Sequence, residues 1–432
     1  MMNKKKFILF FLISFSFVIC IPFLDYSKLE TSLVLFLANL FGYWGLHMIS
    51  WQFFLLIRTP FTTWFEDLVF LNTIHKNIGK FGILSILLHP IFLFIFYSEF
   101  GINVLTLSIS SEWDIYKLFG QVALYIILFI WVTSALLRSK MTYRIWKRLH
   151  LLSYFIVPLV FTHSILFSKD DQTYIKYYAL VLFIILVLAY FYRLLQVSGL
   201  LKHKCKILEV IQVANNTKEI KVSFSKAKNA KPGQFVYVQL KRFGEEHPFT
   251  VSFIDVENLT ISITVKATGE FSKKLNNLDL SIDKYLFLDG PYGVFTREIY
   301  NLNDLRDIVL IAGGIGITPF LEIFRNKGVL ESKKVFLFYF NRTEKDIAYY
   351  NFFSEVERNY KNVKIVNVLS SQENYSGEKG FFSVELVKKY KNSLDETVFF
   401  VCGPPKMMEM VFASLKGVGV LDKNIFSEKF SY

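Results

Sequence analysis

Six stretches of the chain, at roughly 7–24, 32–57, 75–97, 117–137, 149–167 and 174–192, stay apolar over about the 20 residues that a helix needs to cross a hydrocarbon core. All six lie within residues 1–198 of a 432-residue chain, so the first half is built for a bilayer. Composition agrees: 53% of residues are hydrophobic and 18% aromatic, too apolar for a soluble enzyme of this length. Residues 1–198 carry 16 Lys+Arg and 9 Asp+Glu, whereas residues 199–432 carry 33 and 27, the balance of an ordinary soluble protein. The net charge of +13 is therefore no nucleic-acid signature, and no basic run with interleaved aromatics occurs. Three Cys (Cys20, Cys205, Cys402), odd in number and far apart, exclude a disulfide scaffold and a thiolate metal site, and fit a reducing cytoplasm.

Charge sorts by flank. One side of the six stretches has 12 Lys+Arg and 2 acids, the other 4 Lys+Arg and 7 acids. The positive-inside rule then places both termini in the cytoplasm. Arg58, Lys76, Lys80, Arg138, Lys140, Arg144, Lys147 and Arg148 belong to the inner side, and Glu99, Glu112, Asp114, Asp170 and Asp171 to the outer. The first stretch has the basic start of a signal peptide but lacks an A-x-A cleavage site, and it is read as a span.

Four of the seven His fall in two pairs: His75 and His89, 14 apart on the third stretch, and His150 and His163, 13 apart on the fifth. At about 100° and 1.5 Å per residue, 14 steps return to within about 40° of one face while rising about 21 Å. Both stretches run outward, so His75 and His150 share an inner level and His89 and His163 an outer one. Two levels with one imidazole from each helix suit two stacked bis-His haems, and are far too separated for four ligands of one zinc or copper ion. The 13-residue pair misses a common face by about 140° on an ideal helix, and Pro158 between its members predicts a kink or tightened turn. The plainer role for intramembrane His is interhelical hydrogen bonding, and that role is assigned to His47. Arg58, Lys147 and Arg148 are candidates for haem propionates, although orientation charges alone explain them.

After Arg193 the period changes. Segments 204–213, 218–224, 234–240, 248–254, 259–266 and 284–288 read as short strands of an antiparallel barrel. From about 305 the pattern becomes strand, glycine turn (Gly313 to Pro319), helix through Lys327, with buried strands at 335–340, 363–369 and 397–402, which predicts a parallel α/β nucleotide domain. Glycines between strand and helix let amides and a helix N-terminus approach a pyrophosphate, although a bare glycine turn is as often a tight corner.

The order of short motifs is more specific: His247-Pro-Phe-Thr250, Gly269-Glu-Phe-Ser272, Gly290-Pro-Tyr-Gly293, the glycine turn, Cys402-Gly-Pro-Pro405 and Glu428-Lys-Phe430. With the His pairs and six spans, the chain resembles the ferric reductase and NADPH oxidase superfamily, in a compact bacterial form. The resemblance implies a multi-domain membrane protein: a six-helix transmembrane haem bundle (1–198), an antiparallel β-barrel FAD domain (199–299) and an α/β parallel-sheet NAD(P)H domain (300–432). It implies that His247, Pro248, Phe249 and Thr250 line the flavin, and that Gly269, Phe271 and Ser272 hold the FAD pyrophosphate. Gly313, Gly314, Gly316 and Thr318 would receive the pyridine nucleotide, and Cys402, Gly403 and Pro404 would border the nicotinamide. Phe430 would stack on the flavin with Glu428 nearby, Tyr432 being the alternative ring. Arg342, after the second parallel strand and near Lys345, favours a 2′-phosphate and hence NADPH, with NADH the alternative.

The implied activity is a cell-membrane, multi-pass oxidoreductase with its flavin and nucleotide domains in the cytoplasm. It would pass electrons from NAD(P)H through FAD and two b-type haems, held by His75, His150, His89 and His163, to a small-molecule acceptor outside. Dioxygen would give superoxide and a ferric chelate ferrous iron. Eukaryotic oxidases carry a further His one turn beyond the outer third-helix ligand; here that position is Leu93, which counts against a dedicated oxygen pocket. A haem-flavin subunit serving a separate quinone-linked or periplasmic repair partner is the alternative, and a non-catalytic transporter or assembly protein a third reading. Oligomeric state is not legible, and no nucleic-acid partner is expected.

Overall fold

The computed structural model describes residues 4–24, 32–55, 68–102, 104–167, 173–301, 306–391 and 393–428. They form two units, Met1–Leu195 and Gln196–Tyr432.

The first unit is helical: α1 (Lys4–Leu24), α2 (Leu33–Phe54), α3 (Leu68–Ser98), α4 (Glu112–Trp131), α5 (Tyr143–His150), α6 (Ile156–Phe167) and α7 (Thr173–Val197). Among the described residues four runs, Leu33–Phe54, Phe70–Ser98, Glu112–Leu136 and Arg144–Phe167, are long and apolar enough to cross a membrane, and Leu180–Gln196 is a shorter apolar helix. Outward side chains such as Phe81, Leu84, Leu188 and Phe191 are large, apolar and exposed, a surface that suits lipid and not water. Helix α4 starts where Ser111 Oγ accepts the Asp114 amide, with Glu112 and Asp114 in its first turn, where carboxylates suit the helix dipole. Two segments depart from α geometry. A π turn at Val132–Leu136 follows α4, and a 3₁₀ turn at Leu151–Phe155 separates α5 from α6. Pro158 has no N–H for the carbonyl four residues back, which favours tightening there.

Helix α1 packs on α2 through Phe7, whose ring meets Trp51 edge-on at 5.9 Å. A polar cluster joins three helices. His47 Nδ1 lies 2.8 Å from the Tyr178 hydroxyl, its Nε2 lies 3.1 Å from Ser14 Oγ, and Trp51 Nε1 donates to Ser14 Oγ at 3.1 Å. His47 is thus a hydrogen-bonding residue. Arg58 lies outside the described residues, and Lys147 and Arg148 are exposed on α5 just before His150.

The second unit opens with a closed barrel of β1 (His203–Ala214), β2 (Thr217–Ser223), β3 (Phe235–Gln239), β4 (His247–Asp255), β5 (Thr260–Lys266) and β6 (Tyr285–Tyr292), in the order β1-β2-β5-β4-β3-β6 with antiparallel pairs. Period-two alternation fills it with Ile220, Val222, Val236, Val238, Ile261, Ile263, Leu286 and Leu288. A parallel sheet follows: β7 (Asp307–Gly313), β8 (Val335–Asn341), β9 (Val363–Leu369), β10 (Glu378–Lys379), β11 (Thr397–Cys402) and β12 (Ile425–Glu428), ordered β10-β9-β8-β7-β11-β12. Both faces of β7 are covered, Ile308 and Leu310 belonging to one core and Val309 and Ile311 to the other. Residues buried on both faces read as a continuous apolar run, as this strand does.

Strand β12 is absent from the sequence reading, and the predicted helix after the glycine turn is corrected. Gly314–Arg325 forms 3₁₀ turns around Pro319, and a new α-helix, Lys327–Ser332, starts where the Asn326 side chain accepts the Val329 amide.

Candidate functional site

The imidazoles meet in two pairs. Ring centres of His75 and His150 are 6.4 Å apart with planes at 72°; those of His89 and His163 are also 6.4 Å apart, at 76°. A metal–imidazole bond of about 2 Å on each side, plus about 1.2 Å from nitrogen to ring centre, would separate two imidazoles that share one iron by about 6.4 Å. Each pair therefore fits a haem iron between its rings. Among the described residues no group of three or more His, Cys, Asp or Glu is placed to hold one metal ion.

The 3₁₀ turn explains how the mis-phased pair reaches register. Five residues at about 120° and eight at about 100° carry His163 to within about 40° of the His150 face, the same offset as the 14-residue pair. Hydrogen bonds aim the rings. His89 Nδ1 lies 2.8 Å from the Ala38 carbonyl and His163 Nδ1 2.9 Å from that of Tyr116. His150 Nδ1 lies 3.2 Å from Ser134 Oγ, which also accepts the Trp146 indole N–H at 3.1 Å, and Trp146 stacks on His150 at 4.9 Å. These bonds engage Nδ1 and leave Nε2 as the atom that would face a metal, the usual support of a metal-binding imidazole. His75 Nδ1 is buried and has no such partner among the described residues. Ser134 sits in the π turn, a feature the sequence reading did not include; π turns are common at functional sites.

In the barrel, His247, Pro248, Phe249 and Thr250 open β4, paired with β3. The His247 ring stacks on Phe271 at 4.2 Å, and Phe249 lies 6.1 Å from the same ring, nearly parallel to it. Thr250 is 4% exposed and its hydroxyl finds no partner among the described residues, an orphan polar atom of the kind a bound group satisfies. Phe271 belongs to α8 (Glu270–Asn276), whose entry is tied by Ser272: its Oγ accepts the amides of Thr268 at 3.1 Å and Gly269 at 2.8 Å. That hydroxyl is engaged within its own turn.

The nucleotide side shows a division of labour among glycines. A Cβ on Gly316 would overlap the Cys402 carbonyl, and one on Gly313 would lie 2.8 Å from Pro404 Cδ and 3.4 Å from Gly403 Cα. Gly313, Gly316 and Gly403 thus let the chain after β7 mesh with the chain after β11. Gly314 alone of the turn has left-handed φ (+54°) and faces open space. Thr318 is buried and donates to the Ile315 carbonyl at 3.0 Å. Cys402, fully buried, pairs across β11–β12 with Glu428, and burial together with that carboxylate pushes its thiol well up, so it is held protonated. Phe430 and Tyr432 lie outside the described residues.

Arg342 follows β8, exposed and with no side-chain partner among the described residues. Its acidic neighbours are occupied: Gln372 Nε2 donates to Glu344 at 2.6 Å, and Asp346 meets Lys266 at 3.2 Å.

Three family descriptions match the chain in sequence order. A ferric reductase like transmembrane component covers residues 41–161, an FAD-binding domain 202–296 and an oxidoreductase NAD-binding domain 310–412. The reductase component of propane 2-monooxygenase from Mycolicibacterium smegmatis is 26% identical over 46% of this chain and 59% of its own length. NADH-cytochrome b5 reductase 1 of Dictyostelium discoideum is 27% identical over 45% of this chain and 69% of its own. The chain thus spans about three fifths of the first relative and two thirds of the second. A solved ferredoxin NADP+ reductase from Neisseria gonorrhoeae, with bound FAD and NADP, aligns at TM-score 0.47 and 20% identity, over 53% of this chain and 99% of that one. An apolar helical unit, a closed six-stranded barrel and a parallel nucleotide-type sheet occur here in the order of those three descriptions, and that order matches a ferric reductase/NADPH oxidase-type fusion.

Proposed function

We propose that this chain is a membrane NAD(P)H oxidoreductase that carries electrons from a cytoplasmic nucleotide to an acceptor on the other side of the bilayer, the acceptor being dioxygen or ferric iron. In this reading residues 1–198 are a six-helix haem-binding domain, 199–299 the FAD domain and 300–432 the NAD(P)H domain. The positive-inside charge pattern orients it, His75 and His150 forming the inner pair and His89 and His163 the outer. The observation that carries the proposal is the recurrence of one geometry on two levels, each pair spaced 6.4 Å with crossed planes. When bound, FAD would take a hydride from NAD(P)H and two b-type haems would relay its electrons one at a time.

The chain's own residues do the positioning. The carbonyls of Ala38 and Tyr116 hold the outer imidazoles as Nδ1–H tautomers, and Ser134 orients His150. The stacked rings of His247, Phe249 and Phe271 wall the flavin side, where the buried Thr250 hydroxyl offers a donor. Gly269 and Ser272 shape the turn beside the FAD pyrophosphate, and Gly314 opens the nucleotide turn that Gly313, Gly316, Thr318 and Pro404 pack into place. The protonated Cys402, with Glu428 and Gly403, borders the nicotinamide without acting as a nucleophile, and the ring over the flavin would come from Phe430, with Tyr432 the alternative.

Arg342 selects the nucleotide. Because Glu344 and Asp346 are tied elsewhere, its guanidinium is available for a 2′-phosphate. Arg342→Glu raises KM for NADPH by about 10- to 100-fold, the worth of a charge-assisted hydrogen bond, and leaves KM for NADH within a factor of about three. The function itself is tested by an anaerobic spectrum after NADPH addition, followed by separate admission of oxygen and ferric citrate. Reduction of flavin and haem together, then reoxidation by one acceptor, is expected. Bleached flavin beside haem that stays oxidised sinks the conduit.

A further inference from the structure

We propose that Gly42 and Gly120, on helices that supply no axial ligand, are positioning residues for the outer imidazoles. The inference rests on the haem reading above. On an α-helix each side chain covers the turn before it, so the residue at i+4 shields the carbonyl at i. That carbonyl already accepts one amide and keeps a second lone pair. Ala38 and Gly42 stand in this relation on α2, and Tyr116 and Gly120 on α4. His89 Nδ1 reaches the Ala38 carbonyl at 2.8 Å over Gly42, and His163 Nδ1 reaches the Tyr116 carbonyl at 2.9 Å over Gly120.

A side chain would close both routes. A Cβ on Gly42 would lie 2.9 Å from His89 Nδ1 and 3.0 Å from its Cε1; on Gly120 it would lie 2.7 Å from His163 Cε1 and 2.8 Å from its Nδ1. The atoms in the way belong to rigid rings whose other nitrogen faces the metal position, so the rings cannot yield without giving up that direction. One device thus occurs twice, on two helices with different surrounding sequence, and at one level only. The inner pair is held by Ser134 on His150, and His75 has no such bond among the described residues.

A carbonyl accepting Nδ1–H makes the imidazole a stronger donor to iron, which favours the ferric state. Gly42→Ala or Gly120→Ala pushes the ring off its carbonyl. The expected result is an upward shift of one of two midpoint potentials, or a fall from two haems per chain to one, in full-length protein purified from membranes. Gly45→Ala is the control, because its Cβ would meet Ile86 Cγ1 at 3.3 Å and no imidazole. Both potentials unchanged in both variants, or an equal change in Gly45→Ala, overturns the inference while two haems in the unsubstituted protein keep the haem reading. An unsubstituted protein without haem sinks the haem reading itself. If neither variant accumulates, the ferric electron paramagnetic resonance of the unsubstituted protein decides. Planes near 76° at the outer pair and 72° at the inner would give strongly anisotropic low-spin signals for both, and a signal of parallel imidazoles from either haem overturns the proposal.

Discussion

The two imidazole pairs share a ring separation of 6.4 Å and differ in what holds them. Both outer rings bond to main-chain carbonyls, which no substitution of the acceptor residue's side chain removes. At the inner level His150 depends on a serine hydroxyl presented by a π turn and on a stacked indole, and the buried Nδ1 of His75 has no partner among the described residues. The difference teaches that equal geometry can rest on unequal support. The outer pair is fixed by helix packing, whereas His150 of the inner pair depends on replaceable side chains.

The largest test of this contrast removes one ring per level. His89→Leu and His75→Leu should each halve the haem content, from two per chain to one, while NADPH still bleaches the flavin, because the reductase unit has its own core. Pyridine haemochrome assay against flavin content reads the result; if either variant keeps two haems, the levels are misassigned. A smaller effect comes from Ser134→Ala, which takes the hydroxyl from His150. Loss of such a supporting partner weakens metal binding by about 10- to 100-fold. Under limited haem supply the inner haem should therefore be lost first, whereas equal loss from both levels would erase the contrast. The smallest effect is expected away from both pairs. Ser14→Ala removes a hydrogen bond that ties α1 to His47 and Trp51, at a cost of about 1 kcal/mol. Thermal scans should show a Tm lower by about 2–4 °C with haem content unchanged, and any haem loss would draw His47 into the ligand network.

How much of this was legible in the sequence depends on the range of the interaction. The spacing of His75 and His89 places two ligands on one face because helix phase is local, and strand alternation together with glycine turns gives the barrel and the parallel sheet for the same reason. The 13-residue spacing of His150 and His163 is out of phase until Leu151–Phe155 tightens, which Pro158 hints at without locating. Gly42, Gly120 and Ser134 are invisible in one dimension, since their roles consist of contacts across 16 to 51 residues. The glycine turn was legible only in part. The pattern points to Gly313, Gly314 and Gly316 as receiving the nucleotide, and it does not reveal that a Cβ on Gly313 or Gly316 would meet the chain after β11 while Gly314 faces open space. Ser272 likewise turns inward to its own helix entry, a choice set by two neighbouring amides.

The account stands or falls on the porphyrin count. Protein produced with ample haem supply, purified from membranes and assayed against its own amino-acid content, should carry two b-type haems per chain with bis-imidazole spectra. A ratio of zero or one, or spectra showing an open axial position on iron, would contradict it.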